Sequence, residues 1–126
     1  MWKHLLLVGL GGGLGSMLRY LTTLFAGRWG LWALPWGTFA VNIVGCLLIG
    51  LLVGLAERYQ LFAGPLRFLL ITGFCGGYTT FSAFSAENLA LLESGEYTAF
   101  FLYVALSVAL GIAAVFTGLL FSRVAF

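Results

Sequence analysis

The charged residues of this 126-residue chain are placed so that three long stretches carry no formal charge. These stretches are residues 29–56, 68–86 and 97–122. A helix needs about 20 mainly apolar residues to cross the hydrocarbon core of a bilayer. Only 8% of the residues are charged and 62% are apolar, whereas a typical soluble domain has roughly 25% charged residues. Because such a chain cannot cover a folded surface with polar groups, we predict that its solvent is mainly lipid.

The pattern predicts an all-α integral membrane protein with four transmembrane helices in one domain, 1–126. The expected helices are at about 4–27, 36–57, 66–92 and 98–122. Barrel strands are excluded because no stretch alternates cleanly and the spans are too long for them. The internal charge at Arg19 and the lack of a small-residue cleavage site argue against a cleaved signal peptide.

The connecting segments 28–35, 57–65 and 93–97 have the composition of turns. An even number of spans places both termini on one side of the membrane. The positive-inside rule relates orientation to Lys and Arg near the ends of the spans. The side with the termini carries Lys3, Arg58, Arg67 and Arg123, and the other side carries Arg28. This distribution favours cytoplasmic termini.

Several classes of function are disfavoured by the sequence. The net charge is only +2 with no basic cluster, so nucleic-acid binding has no electrostatic basis. The glycines at 9–13 resemble a dinucleotide-binding loop, but the third glycine of that motif would fall on Leu14 or Ser16. Cys46 and Cys75 both lie inside predicted spans, where we interpret them as small apolar residues and not as a disulfide or a metal site.

Glycines recur at four-residue spacing in the first two helices. Such spacing lets helix backbones approach closely in lipid. It is explained equally well by packing within one chain and by packing between chains, although the small size of the chain favours a homo-oligomer. The glycines concerned are Gly9, Gly11, Gly13, Gly15, Gly50 and Gly54.

The segment 72–88 is the most informative part of the sequence. Gly73, Gly76 and Gly77 occupy the middle of a span and are followed at once by the hydroxyl residues Thr79, Thr80, Ser82 and Ser85. Glycine pairs weaken a helix, and hydroxyls can bond freed backbone groups. We therefore predict that the third helix is broken near its middle, around Gly76 to Thr79. The alternative is an intact helix with a glycine-rich packing face.

Other polar and aromatic residues in the spans are candidates for an ion pathway. Asn42, with Thr38 one turn earlier, offers amide protons to an anion or makes an interhelical hydrogen bond. Tyr103 and Ser107 are spaced to share a face of the fourth helix. Phe81 and Phe84 also share a face; they are either packing residues or rings whose positive edges face a dehydrated anion.

Arg19 and Glu87 are the only charged residues well inside the spans. Intramembrane charges usually face the interior of a bundle, where they pair or mark an ion pathway. The two residues either pair with each other, or Arg19 raises the local anion concentration at a pore mouth.

Three stretches of the chain resemble the small bacterial fluoride channels, the Fluc or CrcB family. The most specific is 73–85, Gly-Phe-Cys-Gly-Gly-Tyr-Thr-Thr-Phe-Ser-Ala-Phe-Ser. The glycine-rich first helix ending in Leu-Arg-Tyr at 18–20 and the sequence Pro-Trp-Gly-Thr-Phe-Ala-Val-Asn at 35–42 are also similar to that family. The resemblance covers nearly the whole chain.

The resemblance implies an antiparallel, dual-topology homodimer with two anion pores and a structural sodium ion at the dimer axis. It implies that the backbone carbonyls of Gly76 and Thr79 hold the sodium. By the same resemblance, the ion pathway includes Asn42, Phe81, Phe84, Tyr103, Ser107 and the vestibule arginine, Arg19. We add Thr38 and Ser82 to this pathway, and Glu87 as a further intramembrane charge. Two oppositely oriented homologues are an alternative to the homodimer.

The function expected from this resemblance is passive, fluoride-selective export from the cytoplasm through the bacterial inner membrane, without enzymatic chemistry. One alternative is a small proton-coupled multidrug or cation exporter, for which Glu87 is the only candidate carboxylate. Another is a membrane assembly subunit without transport activity, which predicts that Asn42, Phe81 and Phe84 tolerate substitutions that keep their volume.

Overall fold

The computed structural model describes residues 1–28 and 33–126, and every regular element in this part of the chain is helical. The predicted turn at 28–35 falls partly outside it, because residues 29–32 are not described. We number the elements in chain order. They are α1 (Trp2–Ala26), α2 (Trp36–Arg58), α3 (Gln60–Ala63), α4 (residues 65–78), α5 (Phe81–Glu93) and α6 (Tyr97–Ala125).

Within residues 1–28 and 33–126, three helices are long and apolar enough to cross a membrane: α1, α2 and α6. Helix α1 starts two residues before the predicted position, and α6 continues three residues beyond its predicted end. Most of the large apolar side chains of α1 and α6 are exposed on the surface of the single chain, whereas those of α2 are mostly buried or half-buried. An apolar exterior of this kind fits a lipid environment, because lipid tails carry no penalty for contact with it.

The connections differ in detail from simple turns. The segment 57–65, predicted as a turn, contains the one-turn helix α3, and Pro65 occupies the first position of the next helical segment, where its missing N–H costs nothing. Between α5 and α6, Gly95 has a φ of +74°, and the Glu96 N–H donates to the Leu91 carbonyl at 2.9 Å. These are the features of a Schellman motif that ends α5.

Helix α4 changes its helical type along its length. Residues Pro65–Arg67 and Gly76–Tyr78 are α-helical, while Phe68–Cys75 between them form a π-helix. The helical path then stops: Thr79 (φ −82°, ψ 158°) and Thr80 (φ −149°, ψ 123°) are extended, and α5 begins at Phe81. The π-helical stretch was not anticipated from the sequence, and the interruption lies at the C-terminal end of the interval in which a break is predicted.

Two tightly packed helix pairs make up the bundle, and glycines form both contacts. A β-carbon at Gly11 or Gly15 would overlap backbone carbonyl oxygens of α4, and one at Gly50 would overlap the Val115 carbonyl of α6. By contrast, Gly9 and Gly13 have no atom within 4 Å of such a β-carbon. The glycine spacings therefore serve packing within the chain at Gly11, Gly15, Gly50 and Gly54, but not at Gly9 and Gly13.

The basic residues assigned to one membrane side lie at one end of the bundle. Arg58 at the end of α2 donates to the Arg123 carbonyl at 3.1 Å, and Arg123 forms an exposed ion pair with Glu57 at 3.3 Å. At the same end, the His4 ring stacks on Phe68, with 4.1 Å between ring centroids. This end also holds both chain termini. The basic residues that the sequence assigns to the side with the termini therefore do lie beside them.

Candidate functional site

A groove of about 530 Å³ runs along one side of the bundle, between α2, the α4–α5 interruption and α6. Most of its wall is apolar, with Ile49, Ile71 and Val108 among the lining residues. Its polar and aromatic lining includes several residues singled out from the sequence. These are Asn42, Thr79, Phe81, Phe84 and Ser107.

Asn42 fixes the interruption from the side of α2. Its Nδ2 donates to the Thr80 carbonyl at 3.0 Å, and its Oδ1 accepts from the Thr80 N–H at 2.8 Å. An amide nitrogen carries two protons, and this pairing uses one of them. The interhelical hydrogen bond and the anion-binding role considered for Asn42 are therefore compatible, because the second amide proton remains for another acceptor.

The interruption also changes the bonding of two carbonyl groups. In a continuous helix the Gly76 carbonyl would accept from the Thr80 N–H, and the Thr79 carbonyl from the Ala83 N–H. Here the Thr80 N–H donates to Asn42, and the Ala83 N–H donates to the Thr80 hydroxyl at 3.2 Å as an N-terminal cap of α5. The Gly76 and Thr79 carbonyls thus both lose their usual helical donors.

Those two carbonyls have the chemistry that a hard cation requires. Hard cations take oxygen ligands, and a carbonyl that has lost its helical donor has lone pairs for one. A β-carbon at Gly76 would meet no atom within 4 Å, so the space around it is open. Within residues 1–28 and 33–126, no three His, Cys, Asp or Glu side chains lie together as a metal site. Among the described residues, the Gly76 and Thr79 carbonyl oxygens are therefore candidate cation ligands at the interruption.

Phe81 and Phe84, which were predicted to share a helix face, occupy different environments. Phe81 is 78% exposed, and its ring centroid lies 5.8 Å from that of Phe84. Phe84 is half-buried, and its ring packs at 5.0 Å and 58° against Tyr103 on α6. Phe84 therefore belongs partly to the core of the chain, whereas Phe81 presents its ring to whatever lies outside it.

Glu87 lies between α2 and α6 and links two of the predicted pathway residues. Its Oε1 accepts a hydrogen bond from the Thr38 hydroxyl, and its Oε2 accepts one from the Tyr103 hydroxyl at 2.9 Å. Thr38 and Tyr103 are both almost fully buried. The sequence pointed to each of these polar residues separately, but no short-range pattern indicated that one carboxylate joins them.

The remaining hydroxyls differ in how they are bonded. Ser107 lines the groove, and its buried Oγ has no hydrogen-bond partner in the described part of the chain. Ser82 is exposed, and its hydroxyl lies 3.2 Å from that of Thr80. Ser107 is therefore a group with unused hydrogen-bonding capacity in the groove, whereas Ser82 supports the cap of α5.

Arg19, which was also predicted for the ion pathway, lies apart from the other predicted pathway residues. It lies half-buried on α1 and does not line the groove. Among the described residues, the ion pair found joins Arg123 and Glu57, and none joins Arg19 to Glu87. The pairing considered for Arg19 and Glu87 is thus wrong for the single chain, since the carboxylate is bonded by two hydroxyls instead.

Comparison with known proteins decides the family. Residues 6–119 match the CrcB-like proteins, a family described as camphor resistance (CrcB). The chain belongs to the CrcB family. It is 52% identical over 121 residues to the fluoride-specific ion channel FluC of Flavobacterium psychrophilum, covering 96% of this chain and 98% of that protein. The proteins of the same name from Phocaeicola vulgatus and Rhizobium etli are also 52% identical, over 96% and 94% of this chain and 99% and 94% of their own lengths.

Membership in the CrcB family agrees with the physical character of the bundle. The described part of the chain has three helices that are long and apolar enough to cross a membrane, and its relatives are named as ion channels. It is accordingly a multi-pass membrane protein. The resemblance noted from 18–20, 35–42 and 73–85 is confirmed, because all three stretches lie within the matched residues.

Proposed function

We propose that this chain is a passive, fluoride-selective ion channel that exports fluoride from the cytoplasm across the bacterial inner membrane. The observation that carries the proposal is the 52% identity, over nearly the full length, to proteins named as fluoride-specific ion channels. The groove supports it, because four residues predicted for an anion path line one surface beside the helix interruption: Asn42, Phe81, Phe84 and Ser107.

The physical requirement for such a channel is replacement of the hydration shell of a small anion. Moving a bare ion into a medium of low dielectric constant costs on the order of 20 kcal/mol in the idealised limit. The groove offers the second amide proton of Asn42, the unpartnered hydroxyl of Ser107 and the aromatic edges of Phe81 and Phe84. The N-terminus of α5 begins at the groove and adds positive potential there. Arg19 would attract anions to the entrance.

The working unit in this proposal is a homodimer of two oppositely inserted copies with two pores. Helices α4 and α5 together would form a discontinuous third span, which makes four spans in one domain, 1–126. The support is that the groove is open along its side and that Phe81 is 78% exposed at its edge. A second inverted copy seated on this face would close the groove and cover Phe81. A pair of oppositely oriented homologues remains the alternative assembly.

A sodium ion at the dimer axis is part of the same proposal. The Gly76 and Thr79 carbonyls would hold it, together with their counterparts from the second copy. When bound, the ion would offset repulsion between opposed carbonyl dipoles. Replacing sodium with a large organic cation should then lower the thermal stability of the dimer, and equal stability in both salts would argue against the site.

The proton-coupled exporter is the less favoured alternative. The fluoride-channel relatives span nearly the whole chain and favour the channel. Glu87, the only candidate carboxylate for an exporter, is already bonded to Thr38 and Tyr103. In the channel, this carboxylate would compete with fluoride for the two hydroxyl protons.

The proposal is tested with purified protein in liposomes loaded with fluoride or chloride. A fluoride electrode should record rapid fluoride efflux without a proton gradient, and chloride efflux should match that of empty vesicles. Fluoride efflux no faster than from empty vesicles would exclude the channel. Efflux that requires a proton gradient would favour the exporter.

A further inference from the structure

Tyr78 is the last helical residue before the extended Thr79–Thr80 segment, and it is only 4% exposed. Its hydroxyl lies 3.2 Å from the hydroxyl of Thr22 on α1, 56 residues earlier in the chain. The Thr22 hydroxyl also donates to the Leu18 carbonyl at 2.9 Å. Because a threonine hydroxyl has a single proton, Tyr78 must be the donor and Thr22 the acceptor in their bond.

The ring and backbone of Tyr78 are also closely packed. It stacks on Phe74 at 6.0 Å with an interplanar angle of 8°. On the side of α2, a β-carbon at Gly45 would lie 3.3 Å from Tyr78 Cδ1. On the side of α1, a β-carbon at Gly15 would lie 2.9 Å from the Tyr78 nitrogen. Tyr78 therefore fills the space between α1 and α2, directly before the interruption.

The interruption thus has two anchors on different helices. Asn42 of α2 holds the Thr80 backbone, and Thr22 of α1 holds the end of α4 through Tyr78. The preceding Phe68–Cys75 stretch is π-helical, a form that is rare and occurs mostly as short bulges within α-helices. The last turn, Gly76–Tyr78, is α-helical and leads directly into the extended segment, and the Tyr78 bond joins this turn to α1.

We propose that Tyr78 is a positioning residue that holds the Thr79–Thr80 segment in place through its hydroxyl bond to Thr22. The inference rests on the proposed fluoride channel for its effect on transport. The bond fixes where the Thr79 carbonyl and the Phe81 ring lie relative to α1. The same turn of α1 carries Arg19, whose carbonyl accepts from Thr23 at 2.8 Å. Tyr78 thereby couples the interruption to the part of α1 that carries the intramembrane charge.

The test uses substitutions that remove the bond but keep side-chain volume, in the full-length protein. Tyr78→Phe removes the donor and Thr22→Val removes the acceptor, whereas Thr22→Ser keeps the acceptor and is the matched control. We expect Tyr78→Phe and Thr22→Val each to slow fluoride efflux about three- to tenfold, the range that loss of one neutral hydrogen bond gives. Thr22→Ser should transport at close to the wild-type rate.

Two further measurements separate positioning from general destabilisation. The Tyr78→Phe/Thr22→Val double variant should transport no more slowly than either single variant, because the two residues share one bond. Hydrogen exchange should become faster at the amides of residues 79–81 in Tyr78→Phe but not in Thr22→Ser, with unchanged size-exclusion elution. Wild-type efflux and exchange in Tyr78→Phe, or additive losses in the double variant, would overturn the proposal. If the wild-type protein itself conducts no fluoride, the proposed channel fails, and the exchange measurement alone decides the role of Tyr78.

Discussion

Asn42 and Thr80 are joined by a pair of hydrogen bonds in which one side-chain amide satisfies both backbone polar groups of one residue. The pair links α2 to the interruption between α4 and α5. A backbone group without a partner is costly in a membrane interior, because no water is present to replace it. Asn42 therefore stabilises the backbone at Thr80, and only its second amide proton is left to bind an anion.

This relationship predicts different effects for two substitutions of Asn42. Asn42→Leu leaves both Thr80 groups unpaired and should destabilise the protein by about 1–3 kcal/mol for each group. Asn42→Asp keeps an acceptor for the Thr80 N–H but places a negative charge beside the path. We expect Asn42→Asp to slow fluoride efflux by about a hundredfold or more, since like charges at close range cost several kcal/mol.

Both Asn42 variants are examined by thermal unfolding in detergent and by efflux from liposomes. The conservative substitution Ile43→Val, at the next position of the same helix, is the control for α2 packing. Rapid fluoride efflux through Asn42→Asp would remove Asn42 from the ion pathway.

Glu87 gives the sharpest separation between a channel and a proton-coupled exporter. Glu87→Gln keeps the shape of the side chain but removes the charge that strengthens its bonds from Thr38 and Tyr103. In a channel, the two hydroxyls become easier for fluoride to recruit. We expect fluoride efflux at the wild-type rate or up to about fivefold faster, as loss of charge assistance in one hydrogen bond would give.

An exporter would instead lose transport in Glu87→Gln, because it would lack its proton carrier. Efflux is therefore compared with and without a proton gradient in the wild-type and variant proteins. A complete loss of transport in a correctly assembled Glu87→Gln protein would contradict the channel mechanism.

The two phenylalanines should respond differently to the same change. Phe81→Leu removes a ring that is exposed on the single chain, so we expect slower fluoride efflux, with any loss of stability confined to the contact between the two copies. Phe84→Leu also removes the packing of Phe84 on Tyr103 and should cost roughly 1–2 kcal/mol of stability besides slowing efflux. Unchanged efflux in Phe81→Leu, measured at equal protein content, would place Phe81 outside the path.

The long-range hydrogen bonds mark the limit of what the sequence predicts. Uncharged stretches predict spans because lipid excludes charge, and this physical rule needs no knowledge of partners. Asn42, Thr38 and Tyr103 stand out because each is polar within an apolar stretch. The pairings among them cannot be read from the sequence, because Thr80 and Glu87 lie 38 and 49 residues away from Asn42 and Thr38 and are brought close only by helix packing.

The irregular backbone of α4 is a second such limit. Glycines at 73, 76 and 77 indicate a weak helix, but no local pattern indicates the π-helical stretch or its close approach to α1 at Gly11 and Gly15. Tyr78 lies within the 73–85 stretch but receives no role from the sequence, because nothing in its local sequence indicates a partner on α1. Its buried hydroxyl becomes significant only once Thr22 is seen beside it.

The glycine contacts allow packing within the chain to be distinguished from packing between chains. Gly50→Ala would drive a methyl group into the Val115 carbonyl of α6, where backbone must move. We expect a loss of about 1–3 kcal/mol of stability, the usual range for overpacking. Gly13→Ala is the matched control, because nothing lies within 4 Å of its β-carbon, and it should leave the fold of the single chain unchanged. Thermal unfolding measures both effects, and size-exclusion chromatography measures assembly. A Gly13→Ala protein that folds but no longer dimerises would identify this face of α1 as part of the contact between copies, whereas equal destabilisation by the two substitutions would contradict the packing described for α2 and α6.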